Sequence, residues 1–139
     1  MIFTIIVTAC SSKQQSAPTD SLSTPAPAND TSTVGGKSLE GNVDRGAALF
    51  KTGHDPLPAC STCHSTGHDK IVGPGLGGLS VVAGQRVPGQ SATDYIQNSI
   101  INPSAYIRPG FENIMPPIFG TVLSDQDIAD LIAYLMTLP

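Results

Sequence analysis

Large hydrophobic residues recur with helical spacing in three stretches of the chain. In the last stretch, four aliphatic residues at i, i+3, i+4 and i+7 form one continuous apolar face: Ile128, Leu131, Ile132 and Leu135. Ser124 and Asp127 precede this face in the order of a capping box. The same reasoning predicts helices over 43–51 and 91–101, the second of them capped by Ser91.

The stretches between the predicted helices are rich in glycine and proline. The run from 71 to 89 carries six glycines and two prolines, and the run from 102 to 122 carries four prolines. Both are predicted to be ordered loops, and long loops in a small domain usually wrap a bound group. No stretch shows the alternation of a β-strand, so the predicted fold class is all-α.

Length and composition indicate one small domain with a tail. The chain has 139 residues. Residues 11–38 are dominated by Ser, Thr, Pro and Ala and cannot bury enough apolar surface to fold alone. We predict that they form a flexible tether with an r.m.s. span of about 30 Å. This tether separates an N-terminal segment, 1–10, from a folded domain, 39–139.

The N-terminal segment is apolar and ends in Val7-Thr8-Ala9-Cys10, which resembles the lipobox of bacterial lipoproteins. That resemblance implies cleavage before Cys10 and acylation of Cys10. Nine helical residues reach only about 14 Å, against a hydrocarbon core of about 30 Å, so this segment cannot span a bilayer alone. We expect it to anchor the chain by lipid or to be removed. A free or buried Cys10 is the alternative.

The charge balance excludes two classes of partner. Seven Lys and Arg residues against eleven Asp and Glu residues give a net charge of −4, and no basic cluster is present. Nucleic-acid binding and electrostatic docking on anionic lipid both require clustered positive charge, so neither is expected. A basic partner surface is compatible with this charge.

The run Cys60-Ser61-Thr62-Cys63-His64 is the attachment signature of a c-type haem. Two thiols one helical turn apart can each bond one vinyl group of a porphyrin, while the adjacent imidazole ligates iron. One covalent haem, held by Cys60 and Cys63 and ligated by His64, is therefore predicted. A zinc site built from these three residues and His68 is an alternative. So is a disulfide across the turn, whereas a thioredoxin-like site lacks its βαβ pattern here.

A haem ligated by His64 has a second axial position, for which the chain offers Met115, Met136, His54 and His68. Met136 lies in the final predicted helix, where methionine usually fills the core. The two histidines flank the attachment site too closely to reach the opposite face. Met115 stands in a proline-rich loop fifty-one residues after His64 and is the predicted ligand.

Over residues 40–139 the chain resembles the class I cytochrome c family. Gly46 and Phe50, with Leu131 and Tyr134, match the residues where the terminal helices of that family cross, and the small residue lets the two backbones approach. The resemblance implies an all-α class I cytochrome c fold, in which the terminal helices cross and long ordered loops surround one haem.

Two loop motifs extend the resemblance. Gly73-Pro74-Gly75-Leu76 resembles the family's Gly-Pro-x-Leu. That likeness implies that the carbonyl of Pro74 accepts a hydrogen bond from the ligand imidazole and that Leu76 packs on the haem ring. Asn113-Ile114-Met115-Pro116-Pro117 resembles the bacterial ligand loop, which implies that Met115 gives its thioether to iron.

Haem propionates are buried charges that need donors. Arg86, Tyr106 and Arg108 are the predicted donors in the two long loops. The alternative is that both arginines are ordinary surface residues.

With both axial positions filled, iron has no open site for substrate, which favours electron transfer over catalysis. The run 102–107 resembles cytochrome c domains tied to respiratory complexes, namely the domain fused to oxidase subunit II and the monohaem subunit of alternative complex III. The resemblance implies a lipid-anchored one-electron carrier on the periplasmic side of a bacterial inner membrane. Its expected partners are a membrane quinol-oxidising complex and a periplasmic acceptor.

The sequence is also compatible with three other functions. A tethered donor to a terminal oxidase is one. A haem sensor or enzyme with an open iron site is another, and a zinc-stabilised interaction module is a third.

Overall fold

The computed structural model describes residues 31–34 and 37–139. The predicted N-terminal segment, Cys10 and most of the predicted tether lie outside these residues. The described part holds five α-helices and a two-stranded sheet: β1 (Thr31–Val34), β2 (Lys37–Glu40), α1 (Val43–Thr52), α2 (Leu79–Val82), α3 (Ala92–Ile101), α4 (Phe119–Val122) and α5 (Asp125–Leu135). The all-α class is confirmed, and no helix of this part is long and apolar enough to cross a membrane.

The three predicted helices are α1, α3 and α5, and their ends have the expected caps. The Asn42 side chain accepts a hydrogen bond from the Arg45 N–H at the start of α1, and Gly53, at φ 76°, ends that helix. Capping boxes at Ser91 and Ser124 start the other two. Local sequence therefore determines where these helices begin.

The capping box of α5 carries a titrating group. The Ser124 hydroxyl lies 3.2 Å from the backbone nitrogen of Asp127, and the Ser124 N–H donates to the Asp127 carboxylate at 3.0 Å. Burial alone would raise the pKa of Asp127, but the hydrogen bonds from Ser124 and the electrostatic influence of His54 and Arg45 act together to lower it. The ionised carboxylate therefore favours the folded state.

Replacing Ser124 with alanine is expected to lower the free energy of unfolding by about 1 kcal/mol at neutral pH. Because the pKa of Asp127 is lowered on folding, its contribution is present above its unfolded value, about 3.9, and is lost as pH falls through the folded value. The difference between the two proteins in denaturant titrations should therefore narrow below about pH 4, leaving the part due to the hydrogen bond between the Ser124 hydroxyl and the Asp127 N–H. A constant difference down to pH 2 would contradict this account.

Helices α1 and α5 cross at Gly46. A Cβ at this position would meet the backbone oxygen of Asp130 and would lie 2.8 Å from the Cβ of Tyr134. The rings of Phe50 and Tyr134 pack beside the crossing, with centroids 5.5 Å apart. The crossing of the terminal helices is therefore as predicted, and it requires a residue without a side chain on α1.

Asp130 is a charged residue inside this crossing, with only 1% of its surface exposed. Its carboxylate accepts hydrogen bonds from the backbone N–H of Asn42 at 2.7 Å and from Gln126 Nε2 at 2.9 Å. The Nε of Arg45 lies 3.1 Å away. These partners compensate the buried charge. Gln126 also donates to the backbone oxygen of Glu40 at 2.8 Å, which ties the end of β2 to α5.

Short elements occur where none was predicted. Strands β1 and β2 pair antiparallel, with Val34 opposite Lys37, and the pair lies against α5. The expectation of no strand is therefore wrong at this hairpin, which occupies the end of the segment predicted as tether, 11–38. Packing against a helix supplies the stability that an isolated hairpin lacks. The single-turn helices α2 and α4 likewise lie within the two predicted loops.

Candidate functional site

A largely apolar cleft of about 310 Å³ opens between the helices and the two long loops. This volume is in the range of small-molecule and cofactor sites. Its inner wall comes from large hydrophobic residues of the core: Phe50, Leu79, Ile96, Ile100, Phe119, Leu123, Leu131 and Leu135. All nine predicted binding residues line it as well: Cys60, Cys63, His64, Pro74, Leu76, Arg86, Tyr106, Arg108 and Met115.

The attachment motif forms a single helical turn at the edge of this cleft. The N–H groups of Cys63 and His64 donate to the carbonyl of Cys60 at 3.1 and 2.9 Å. Both thiols line the cleft and no disulfide joins them. Burial raises the pKa of the Cys60 thiol, which therefore stays neutral at physiological pH. Two reduced thiols on one wall are the donor set that covalent attachment requires.

The loop after the motif holds the His64 ring. The Nδ1–H of His64 donates to the carbonyl of Pro74 at 2.9 Å, so Nε2 is the ring nitrogen left for a metal. A Cβ at Gly73 would lie 2.5 Å from Cε1 of this ring, so only glycine permits the approach. The N–H of Gly73 donates to Cys63 at 2.9 Å, which fixes this loop to the motif.

Met115 differs in position from the other three candidates for the second axial ligand. It is half-buried and lines the same cleft as His64, whereas Met136, His54 and His68 do not line it. Met136 packs against the hydrophobic core, the role expected of a methionine near the end of a helix. The geometry therefore places His64 and Met115 in the same cleft.

Arg86 carries a buried polar atom that has no hydrogen-bond partner among the described residues. This atom is its Nε, and its guanidinium lies 5.7 Å from the centroid of the Tyr95 ring. Tyr95 in turn packs edge-on against Tyr106, with centroids 5.8 Å apart. A buried N–H of a cation is costly unless an anion approaches it. A propionate group at this wall of the cleft meets that need.

These features fit a haem. The cleft offers two thiols, an oriented imidazole, a thioether, an apolar lining and cationic donors. Among the described residues, no three Cys, His, Asp or Glu side chains cluster as metal ligands. Fold and site together define a helical domain that binds haem covalently.

Comparison with protein families agrees with this class. The family model described as Cytochrome c matches residues 43–139, so the chain belongs to the cytochrome c family. It is a haem-based electron carrier, and its one haem c is attached through Cys60 and Cys63. A comparison with curated proteins gave no significant match.

Sequence reasoning missed two aromatic contributors to the cleft. Tyr95 lies in the predicted helix 91–101, and its ring connects Arg86 to Tyr106. Phe111 lines the cleft and gave no signal in the sequence beyond its place in the loop before Met115. Only the three-dimensional arrangement shows what these rings contact.

Proposed function

We propose that this chain carries one electron at a time on a six-coordinate haem whose axial ligands are His64 and Met115. The observation that carries this proposal is that the Met115 side chain lines the cleft into which His64 is oriented. The experiment is a visible spectrum of the reduced protein with and without carbon monoxide. We expect no change, because both axial positions are filled. Ready binding would favour a sensor or enzyme with an open iron site.

The proposed roles of the individual residues follow from their contacts. When bound, the haem supplies an iron that cycles between its ferrous and ferric states. The carbonyl of Pro74 keeps His64 in one orientation and makes its free nitrogen more basic. A thioether from Met115 favours the reduced state. Arg86, Tyr106 and Arg108 line the cleft as donors to the propionates.

The N-terminal part of the proposal concerns location. Cys10 is proposed to carry a lipid that holds the chain on the periplasmic side of a bacterial inner membrane, with residues 11–30 as the tether. A tether raises the effective concentration of the domain near membrane partners, so a weak docking surface is enough. Mass spectrometry of the native chain tests this, since it reports the haem adduct and any acyl group at Cys10 together.

The proposed host is a membrane quinol-oxidising assembly such as alternative complex III, with a periplasmic acceptor for the electron. Support comes from the run 102–107 and the lipobox-like start. In this setting the chain is a subunit of a larger oxidoreductase and has no reaction of its own. Donation to a terminal oxidase is the second candidate. Crosslinking in native membranes, followed by identification of the neighbours, separates the two.

The rim of the cleft is the proposed docking surface for these redox partners. Val72, Ile107 and Ile114 line the cleft, yet each remains between 41% and 57% exposed. Two positive charges, Arg86 and Arg108, and one negative charge, Glu112, also line the cleft, and the Lys70 ammonium lies at its edge. With two propionates in place these charges balance, so the rim is largely apolar and close to neutral, which suits the small, rapidly exchanging contacts of redox pairs.

Replacing Ile114 with lysine is expected to slow reduction by quinol-supplied membranes of the source organism about ten-fold. Burying an isoleucine side chain at an interface contributes about 1.5–3 kcal/mol of binding free energy, and a change of about 1.4 kcal/mol is a factor of ten in the binding constant. Ile101→Lys is the matched control, because Ile101 is 38% exposed and does not line the cleft. Equal rates in the two variants would exclude the rim as the docking surface.

A further inference from the structure

Two segments contribute to the cleft wall, and little connects them. The attachment segment, residues 65–78, follows His64, and the methionine segment, residues 103–117, carries Met115. Within the part of the chain that the structure describes, no hydrogen bond or ion pair joins one segment to the other. Packing, the haem or another kind of contact must therefore hold the methionine segment beside the attachment segment.

One cation–aromatic contact does cross between the segments. The Lys70 ammonium lies 4.7 Å from the centroid of the Phe111 ring. The Arg108 guanidinium lies 5.6 Å from the same ring. Phe111 is half-buried and lines the cleft, whereas Lys70 is exposed. The contact thus lies at the edge of the cleft, and it involves the face of a ring that belongs to the site.

Both ends of this contact are tied to an axial ligand. Lys70 forms an isolated antiparallel bridge with His64, so its backbone moves with the proximal ligand. Phe111 precedes Met115 by four residues, in a segment braced internally by the hydrogen bond from Asn113 Nδ2 to Ser104 Oγ at 3.1 Å. The N–H of Phe111 also donates to the Arg108 carbonyl at 3.1 Å. Restraint at Phe111 is therefore passed on to Met115.

We propose that Lys70 and Phe111 are positioning residues that keep Met115 in place on iron. The inference rests on the proposed function, because it requires Met115 to be the ligand. Neither residue touches iron in this role. Their contact favours the closed arrangement of the methionine segment over one in which the thioether has left and an external ligand can bind. An exposed cation–aromatic contact shifts such an equilibrium by about two- to five-fold.

The test is a titration of the oxidised holoprotein with imidazole, followed by its visible spectrum. Imidazole binds only to molecules in which the Met115 thioether has left the iron. Its apparent affinity therefore reports the fraction of molecules in that open arrangement. Lys70→Gln is expected to bind imidazole about two- to five-fold more tightly than the wild type. Lys70→Arg should restore wild-type affinity, because it keeps a cation at the ring. Lys51→Gln, which removes an exposed lysine from α1, is the matched control and should change nothing.

A double-mutant cycle separates positioning from simple packing. Phe111→Leu also alters the lining of the cleft, so its own effect mixes two causes. In Lys70→Gln/Phe111→Leu, removing the lysine should add no further change, because its partner ring is already gone. Additive effects would overturn the proposal, as would Lys70→Gln behaving like Lys51→Gln or Lys70→Arg failing to restore affinity.

Failure of the proposed ligand set and failure of the positioning role give different results. If the wild type lacks the methionine–iron absorption band, the proposed ligand set fails. If the band is present and Lys70→Gln leaves imidazole affinity unchanged, only the positioning role is lost. Amide hydrogen exchange over 103–117 in the holoprotein gives a second readout, and we expect it to be faster in Lys70→Gln than in Lys51→Gln.

Discussion

Replacing Met115 with leucine is expected to open the sixth coordination position of the haem. Leucine has nearly the volume of methionine and keeps the apolar cleft filled, so the domain should stay folded. What it lacks is the thioether. The methionine–iron absorption band should vanish, carbon monoxide should bind the reduced protein readily, and the reduction potential should fall by on the order of 100 mV, within the range of about 0.8 V that axial ligands set.

Met136 provides the matched control, because Met136→Leu makes the same chemical change in the same chain. Met136 is half-buried against the core and does not line the cleft. Its replacement should leave the band, the potential and the response to carbon monoxide as in the wild type. Retention of the band and potential in Met115→Leu would refute Met115 as ligand. Loss of both in Met136→Leu would assign that role to Met136.

Replacing Gly46 with alanine is expected to destabilise the domain by about 2–3 kcal/mol, because overpacking at this site costs about 3 kcal/mol, the upper end of the typical range. The new methyl group would meet the backbone oxygen of Asp130 and lie 2.6 Å from its carbonyl carbon. Backbone atoms of a packed helix cannot rotate away as a side chain can. Alanine gains up to about 1 kcal/mol of helix propensity over glycine, which offsets only part of the cost. Thermal unfolding of the holoprotein should show a Tm lower by roughly 8–24 °C.

Gly67→Ala separates this steric cost from a general effect of removing glycine. A Cβ at Gly67 would meet nothing within 4 Å. Its Tm should therefore equal or slightly exceed that of the wild type, since alanine restricts the unfolded chain. An unchanged Tm in Gly46→Ala would show that α1 and α5 can separate without loss, and the account of their crossing would then be wrong.

The elements that the sequence predicted well are those with local signals. Ser91 and Ser124 open helices because their side chains satisfy backbone N–H groups a few residues away, and the apolar spacing of α5 needs no knowledge of its partner. The attachment motif is equally local. Met115 was predicted from its distance along the chain, and the structure places it in the cleft; whether it binds iron stays a prediction.

The features that were not predicted depend on contacts between distant residues. The hairpin of β1 and β2 is made mostly of polar residues, with Val34 and Leu39 the only aliphatic ones, and Gly35-Gly36 between its strands is its one hairpin signal. Asp130 interrupts the apolar sequence of α5, but its three partners come from other parts of the chain or from a neighbouring turn. The Lys70–Phe111 contact joins residues forty-one positions apart. No local pattern encodes such pairs.

The Gln126 side chain has a mechanical consequence. Because it bonds both the backbone oxygen of Glu40 and the carboxylate of Asp130, the end of β2 is fastened to α5 by hydrogen bonds, while the covalent chain fastens it to α1. A force applied at β2 is therefore shared by the two helices that cross at Gly46, where the backbones are in close contact. His64 and Met115 lie on loops outside these two helices. A pull on β2 thus acts on the helix pair before it acts on the loops that carry the two residues.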